Sequence, residues 1–180
     1  MNAPADGPTA PASHGRAGRD LVAAAGVGLT LGGIVILSLL VKAVFVAFVG
    51  VLVALAVYEL SVALRPTGVR LPTVPLVLGA VGMLVGAFVG GTTVVTGALG
   101  VTAVVVCVWR LAGGREGFVR DVTASMFVVL YVPFLATFAV LLLRPEDGVY
   151  RVLAFLLVTV ASDIGGYAAG VLFGRHPMVP

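Results

Sequence analysis

The chain has 180 residues, of which 60% are hydrophobic and 11% are charged, and its formal net charge is +3. A soluble domain carries roughly 25% charged residues, so this composition excludes an ordinary soluble protein. Apolar runs of about 20 residues recur along the chain, and a helix of that length can cross a bilayer. No stretch mixes basic and aromatic residues as a nucleic-acid site does, so no nucleic-acid partner is indicated. The composition predicts an all-α, polytopic transmembrane helical bundle.

The N-terminal residues 1–19 are rich in Pro, Ala, Gly and Ser and show no hydrophobic period. This composition predicts that they form a disordered cytoplasmic tail. Residues 20–180 are predicted to form one transmembrane helical domain. Its first helix covers residues 21–41, an apolar run longer than a signal peptide uses and without a small-residue cleavage site after it. A second helix follows Lys42 and covers residues 43–64.

Four further apolar helices follow, each set off by a turn. The first break, residues 65–72, contains two prolines, a glycine and two arginines, which are typical of a turn. Residues 110–121 form the longest predicted polar loop. Pro133 lies inside the fifth helix and predicts a kink there. The four helices are predicted at about 73–89, 94–109, 122–143 and from Val149 onward.

The positions of the basic residues predict the orientation of these six helices. With the N terminus in the cytoplasm, eight basic residues lie inside and three lie outside. Cytoplasmic loops carry an excess of Lys and Arg, so the count predicts an N-in/C-in arrangement. The inside set is Arg16, Arg19, Arg65, Arg70, Arg110, Arg115, Arg120 and Arg175, and the outside set is Lys42, Arg144 and Arg151.

Asp163 is the membrane-embedded carboxylate that carries the most functional information. A helix from Val149 places it roughly 20 Å along the axis, about 10 Å from the cytoplasmic face of a hydrocarbon layer about 30 Å thick. A carboxylate there costs about 3 kcal/mol, and more if it faces lipid. We therefore predict that Asp163 lines a cavity open to the cytoplasm, with an interhelical hydrogen bond or a neutral buried acid as alternatives. Glu59, near the end of the second helix, is interpreted as reaching the interface or pairing with an arginine.

The residues after Asp163 share its helical face. Gly166, Tyr167, Gly170 and Gly174 follow it at spacings that return to the same side of a helix. The three glycines repeat every fourth residue, as in small-residue ridges that let helices pack closely. Beside a carboxylate, such small residues also leave room for a substrate, an ion or water.

The end of the chain resembles a known family. SDIGGYAAGVLFGRHPMVP, residues 162–180, resembles the central segment of the phosphatidate cytidylyltransferases, membrane enzymes also called CDP-diacylglycerol synthases. RDVTASMFVVLYVPFLATFAVLL, from Arg120, and GRDLVAAAGVGL, from Gly18, resemble actinobacterial members. The specific part is Ser-Asp-x-Gly-x-Tyr followed by Gly-Arg-His-Pro, with Ile164 where the family often has threonine.

This resemblance implies a nucleotidyl transfer at the cell inner (plasma) membrane. The phosphate of phosphatidic acid attacks the α-phosphate of CTP, pyrophosphate leaves, and CDP-diacylglycerol forms for phospholipid biosynthesis. The chemistry implies a divalent metal, with Mg²⁺ expected. On this interpretation Asp163 is the catalytic acid of the cavity, and Gly166, Gly170 and Gly174 pack against another helix. The expected substrate-binding residues are Ser162, Tyr167, Arg175 and His176.

The chain departs from the family pattern at its end. Family members continue with a Ser-Pro-Lys-Lys segment and an acidic signature that carries the principal metal-binding carboxylates. We therefore expect this chain to be the N-terminal part of an enzyme, inactive alone, with its metal ligands unknown. Two alternatives remain from the residues: a small transporter or channel that uses Asp163, and a non-catalytic membrane protein that binds lipid or helices through the glycine ridge. A homodimer is one assembly that the sequence allows.

Overall fold

The computed structural model describes residues 21–174, and they form seven α-helices without a β-strand. Five stretches within this range are long and apolar enough to cross a membrane, and Gly26–Ser38 adds a shorter apolar helix. The predicted all-α, polytopic membrane bundle is confirmed. The predicted tail, Arg175 and His176 lie outside the described range. The helices are α1 Leu21–Ser38, α2 Lys42–Leu64, α3 Thr73–Gly90, α4 Thr92–Ala112, α5 Phe118–Val129, α6 Leu135–Leu143 and α7 Gly148–Phe173.

Helices α5 and α6 form one continuous stretch, Phe118–Leu143. They are joined by a π-helical turn, Leu130–Phe134, that contains the buried Pro133. Proline cannot donate the usual backbone hydrogen bond, and a π-helical turn accommodates that loss without ending the helix.

The predicted polar loop 110–121 is wrong at both ends. Arg110 lies in the last turn of α4, and Asp121 lies in the first turn of α5. Both positions suit the helix dipole, because a cation is favourable at a helix C-terminus and an anion at an N-terminus. Only residues 113–117 connect the two helices. The charges that suggested a loop therefore sit on helix ends instead.

Helix α3 lies at the centre of the bundle and packs against α2, α4 and α6. Its side chains Leu76, Met83 and Leu84 are almost completely buried in the core. Gly79 permits the close approach of α4, because a Cβ atom at this position would overlap the side chain of Thr102.

The chain alternates between two ends of the bundle. At one end Lys42 Nζ donates a hydrogen bond to the carbonyl oxygen of Pro145 at 2.9 Å, and Arg144 lies against Gly91 between α3 and α4. At the other end lie the α2–α3 connection, residues 65–72, and the α4–α5 connection, residues 113–117. This alternation is the one predicted, while the choice of the cytoplasmic end stays a prediction.

Helix α7 is covered by the bundle only along its first part. Val152 is buried, and Leu153 and Leu156 pack against the core. From residue 157 to residue 173 every side chain is exposed except the half-buried Ala168. We call residues 157–173 the open half of α7.

Candidate functional site

A cavity of about 600 Å³ lies where the α2–α3 and α4–α5 connections meet. Four of its lining residues are arginines, so we call it the arginine cavity. No other residue type contributes as many charges to its wall, and Glu116 is the one lining carboxylate. The lining residues are Ser61, Arg65, Gly68, Val69, Arg70, Leu71, Arg110, Gly113, Glu116 and Arg120.

Asp121 holds the segments around this cavity together. Its side chain is completely buried, and it accepts hydrogen bonds from Arg110 Nε at 2.8 Å and Arg120 Nε at 3.1 Å. The backbone N–H of Arg70 donates to the same carboxylate at 3.1 Å. A buried carboxylate is tolerated when such donors compensate for its lost hydration. Because the donors belong to α4, α5 and the α2–α3 connection, Asp121 fixes these three segments relative to one another.

The two arginines that pair with Asp121 also bind backbone carbonyl groups. Arg110 Nη1 donates to the carbonyl oxygen of Gly114 at 3.0 Å, and Arg110 Nη2 donates to that of Glu116. Arg120 Nη2 donates to the carbonyl oxygen of Gly68. Gly68 has φ of 81°, a left-handed conformation that favours glycine. The guanidinium groups of Arg110 and Arg120 are thus held in place by several bonds each.

Arg65 and Arg70 are different. Both are exposed, and within residues 26–174 neither side chain forms an ion pair or a hydrogen bond. The four arginines of the cavity face two carboxylates, Glu116 in the wall and the buried Asp121. An excess of two positive charges remains, so the cavity favours an anion.

The site residues predicted from the sequence lie elsewhere. Asp163, Ser162 and Tyr167 are exposed on the open half of α7, and Asp163 does not line the arginine cavity. Among the described residues, Asp163 has no ion-pair partner. Arg175 and His176 are not described. The structure therefore brings Ser162, Asp163 and Tyr167 together on one helix, and their roles stay predictions.

The predicted glycine ridge is uncovered in the described part of the chain. A Cβ atom at Gly166 or Gly170 would meet no atom within 4 Å, and one at Gly174 would meet the carbonyl oxygen of Gly170 in the same helix. No helix among residues 26–174 packs on this ridge. Close packing through these glycines stays a prediction. Glu59 is also exposed, and it pairs with no arginine of the described chain.

The arginine cavity was not predicted, although the sequence carries a signal for it. Arg110 ends one apolar helix and Asp121 precedes the apolar run of the next. Oppositely charged residues on the facing ends of two consecutive antiparallel helices lie close together, because the short connection returns the chain to the same level. Polarity alone instead predicts a polar loop for residues 110–121.

The described residues do not form a complete metal site. Within their range no three His, Cys, Asp or Glu side chains lie close enough together to hold an ion. Both oxygens of Asp121 accept N–H donors, and Asp163 offers a single carboxylate. Mg²⁺ is octahedral and is usually held by one or two carboxylates together with waters and substrate phosphates. The described residues bring no group of three candidate ligands together for it.

The fold and the cavity define a polytopic helical membrane protein with an arginine-rich end. Comparison with known sequences specifies the family. The chain belongs to the cytidylyltransferase family, whose sequence model matches residues 22–180. The resemblance inferred from the motifs is confirmed.

Curated proteins that the chain resembles carry names that fit this family. The chain is 36% identical over 182 residues to a phosphatidate cytidylyltransferase of Mycobacterium leprae, and 37% identical over 179 residues to one of Mycobacterium bovis. Each alignment covers 92% of this chain and 58% of the relative. A Mycobacterium tuberculosis protein of the same name is 37% identical, with 55% of its length covered. The chain thus spans little more than half the length of these relatives. No solved structure matches it significantly.

Proposed function

We propose that the protein is a phosphatidate cytidylyltransferase. The observation that carries this proposal is the family match over residues 22–180, together with 36–37% identity to proteins of that name. In the proposed reaction an oxygen of the phosphatidic acid phosphate bonds to the α-phosphorus of CTP. The bond from that phosphorus to the pyrophosphate oxygen breaks, and pyrophosphate leaves. Family membership favours this transferase over a transporter, a channel or a non-catalytic membrane protein.

We place the protein in the inner (plasma) membrane, with the arginine-rich end in the cytoplasm. Five arginines lie at that end of the described bundle, at positions 65, 70, 110, 115 and 120. Lys42, Arg144 and Arg151 lie at the other end, and cytoplasmic loops carry the basic excess. This orientation gives the arginine cavity access to a soluble nucleotide and to lipid headgroups of the inner leaflet. The homodimer stays a prediction. Light scattering of the detergent-solubilised protein would measure the mass of the assembly and so test it.

We further propose that Asp163 contributes to the reaction site, with Ser162 and Tyr167 beside it. Asp163 is exposed on an apolar helix and has no ion-pair partner among the described residues. A carboxylate facing lipid at this depth costs about 3 kcal/mol or more, which favours a polar site around it. Arg175 and His176 are proposed as substrate-binding residues from the sequence pattern alone.

Mg²⁺ is the proposed cofactor. A divalent ion would neutralise charge on the phosphates of the two substrates. No three His, Cys, Asp or Glu side chains of the described residues lie close enough together to hold this ion. The requirement is tested by removing divalent ions with a chelator and restoring Mg²⁺.

The activity test uses purified full-length protein with CTP labelled at the α-phosphate. We expect label to move into a lipid product, with pyrophosphate released, only when CTP and phosphatidic acid are both present. Protein that remains folded but transfers no label at any divalent-ion concentration would overturn the proposal.

A further inference from the structure

We propose that the arginine cavity binds a phosphate group with two negative charges. Such a group is the headgroup of phosphatidic acid and the terminal phosphate of a nucleoside triphosphate. The cavity volume of about 600 Å³ lies within the range of roughly 300–1,000 Å³ that small-ligand sites occupy. The cavity therefore has room for a phosphate group and for part of the molecule that carries it.

Arg65 and Arg70 are the residues that would contact the phosphate. Both residues line the cavity, and neither side chain forms an ion pair or a hydrogen bond among residues 26–174. Guanidinium groups bind phosphate oxygens through paired, charge-assisted hydrogen bonds. Arg110 and Arg120 contribute positive charge from the wall. Asp121 and carbonyl oxygens already accept three hydrogen bonds from Arg110 and two from Arg120.

The surroundings of Arg70 are fixed before any ligand arrives. Its backbone N–H is bonded to the buried Asp121, and the neighbouring Gly68 carbonyl is bonded to Arg120. Hydrogen bonds to α5 therefore fix the path of the α2–α3 connection beside the cavity. A site held in its binding geometry loses less entropy when a ligand binds. The fixed backbone, with two unengaged guanidinium groups on it, is what a phosphate site requires.

The phosphate group itself is inferred from the cavity, whereas its source rests on the proposed function. A phosphatidate cytidylyltransferase would present both phosphatidic acid and CTP to this end of the bundle. The two sources differ in size, charge and attachment to the membrane, so binding measurements distinguish them.

The test measures binding by titration calorimetry on the full-length protein in detergent. The ligands are dihexanoyl phosphatidic acid, CTP and inorganic phosphate, each added alone, with dihexanoyl phosphatidylcholine as the lipid without a free phosphate. The test variant combines Arg65→Gln and Arg70→Gln. The matched control is Arg115→Gln, an exposed arginine of the same end that does not line the cavity.

We expect the double variant to raise the dissociation constant of either phosphatidic acid or CTP by about tenfold or more, because two charge-assisted contacts to the phosphate are lost. If the double variant binds phosphatidic acid more weakly and CTP as before, the ligand of the cavity is the lipid headgroup. If it binds CTP more weakly and phosphatidic acid as before, the ligand is the nucleotide. The control should bind both ligands as the wild type does. Since neither replaced side chain forms a described ion pair or hydrogen bond, the thermal unfolding midpoint should not change.

Two results would overturn the inference. One is binding of phosphatidic acid, CTP and inorganic phosphate within about twofold of the wild type in the double variant. The other is an equal loss in Arg115→Gln, which would show a general effect of surface charge. Arginine-dependent binding in a protein without transfer activity would refute the proposed function and leave this inference standing. If the protein transfers label but the double variant binds all three ligands as the wild type does, the proposed function stands and this inference is refuted.

Discussion

Two aspartates of this chain lie on apolar helices and have opposite surroundings. Asp121 is completely buried at the start of α5 and accepts hydrogen bonds from Arg110, Arg120 and the Arg70 backbone. Asp163 is exposed on the open half of α7 and has no ion-pair partner in residues 26–174. The first lies among packed segments, whereas the second lies on a surface that the described helices leave uncovered.

The difference indicates how each carboxylate is used. Asp121 has its hydrogen-bonding capacity satisfied by the protein, so its effect is on the arrangement of the helix ends and the arginine cavity. Asp163 keeps its oxygens available. A carboxylate at membrane depth without an internal partner is a functional candidate, and one with a full set of donors is a structural element first. The following experiments test that contrast.

The largest effect is expected from Asp121→Ala. This change leaves Arg110, which is 9% exposed, without its buried partner, and breaking a buried pair in this way costs about 3–5 kcal/mol. We expect a fall of about that size in the free energy of unfolding, measured by titration with denaturing detergent. The control is Asp147→Ala, which removes an exposed carboxylate. A loss below about 0.5 kcal/mol in Asp121→Ala would show that the pair does not hold the helix ends.

Asp163→Asn should have the opposite pattern. Because the side chain has no described ion-pair partner, we expect no change in unfolding free energy, while turnover of the full-length protein falls about 100-fold. Losses of that size follow removal of one group that stabilises charge in a transition state. The assay is label transfer from CTP to lipid. Asp147→Asn, at the residue that immediately precedes α7, is the control. Near-normal turnover in Asp163→Asn would show that Asp163 does not belong to the reaction site.

A smaller effect separates the packed helices from the open surface. Gly79→Ala places a Cβ against Thr102, and overpacking of this kind costs about 1–3 kcal/mol. Gly82→Ala on the same helix meets no atom within 4 Å, so the better helix propensity of alanine should leave stability unchanged or slightly higher. Unfolding midpoints compare the two variants. Equal midpoints would show that α3 and α4 can separate at little cost.

The smallest effect concerns the exposed turn before α7. A side-chain hydrogen bond from Arg151 holds the pKa of Asp147 below the usual value of 3.8. A lowered folded-state pKa gives stability that is present above pH 4 and is lost as pH falls through the folded-state pKa. The unfolding midpoint of Arg151→Gln should therefore lie slightly below that of the wild type at pH 7, and the two should converge as the pH falls below the folded-state pKa of Asp147. A constant difference over this range would show that the ion pair does not cause it.

Much of the fold could be predicted from the sequence. Long apolar runs have to form helices in a membrane, because a helix satisfies its own backbone hydrogen bonds there. Helix α7 begins at Gly148, next to the predicted Val149, and α2 ends at the predicted Leu64. The motif around Asp163 also indicated the family, which the comparisons confirm over residues 22–180.

The arginine cavity could not be predicted in the same way. Polarity alone assigned residues 110–121 to a solvated loop, because a charged side chain in a sequence has no visible partner. The α5 helix instead begins at Phe118, where burial of Asp121 is compensated by donors from two other segments. One of these donors belongs to Arg70, 51 residues earlier in the chain.

The sequence by itself determined the helical membrane architecture, the family and the motif around Asp163. These depend on local composition and on residues that are close together in the chain. Only the tertiary structure decided which charges are satisfied and which remain available. Burial and pairing depend on segments that meet after the helices pack. For that reason Asp121 is paired with Arg110 and Arg120, while the side chains of Arg65 and Arg70 have no ion-pair or hydrogen-bond partner among the described residues.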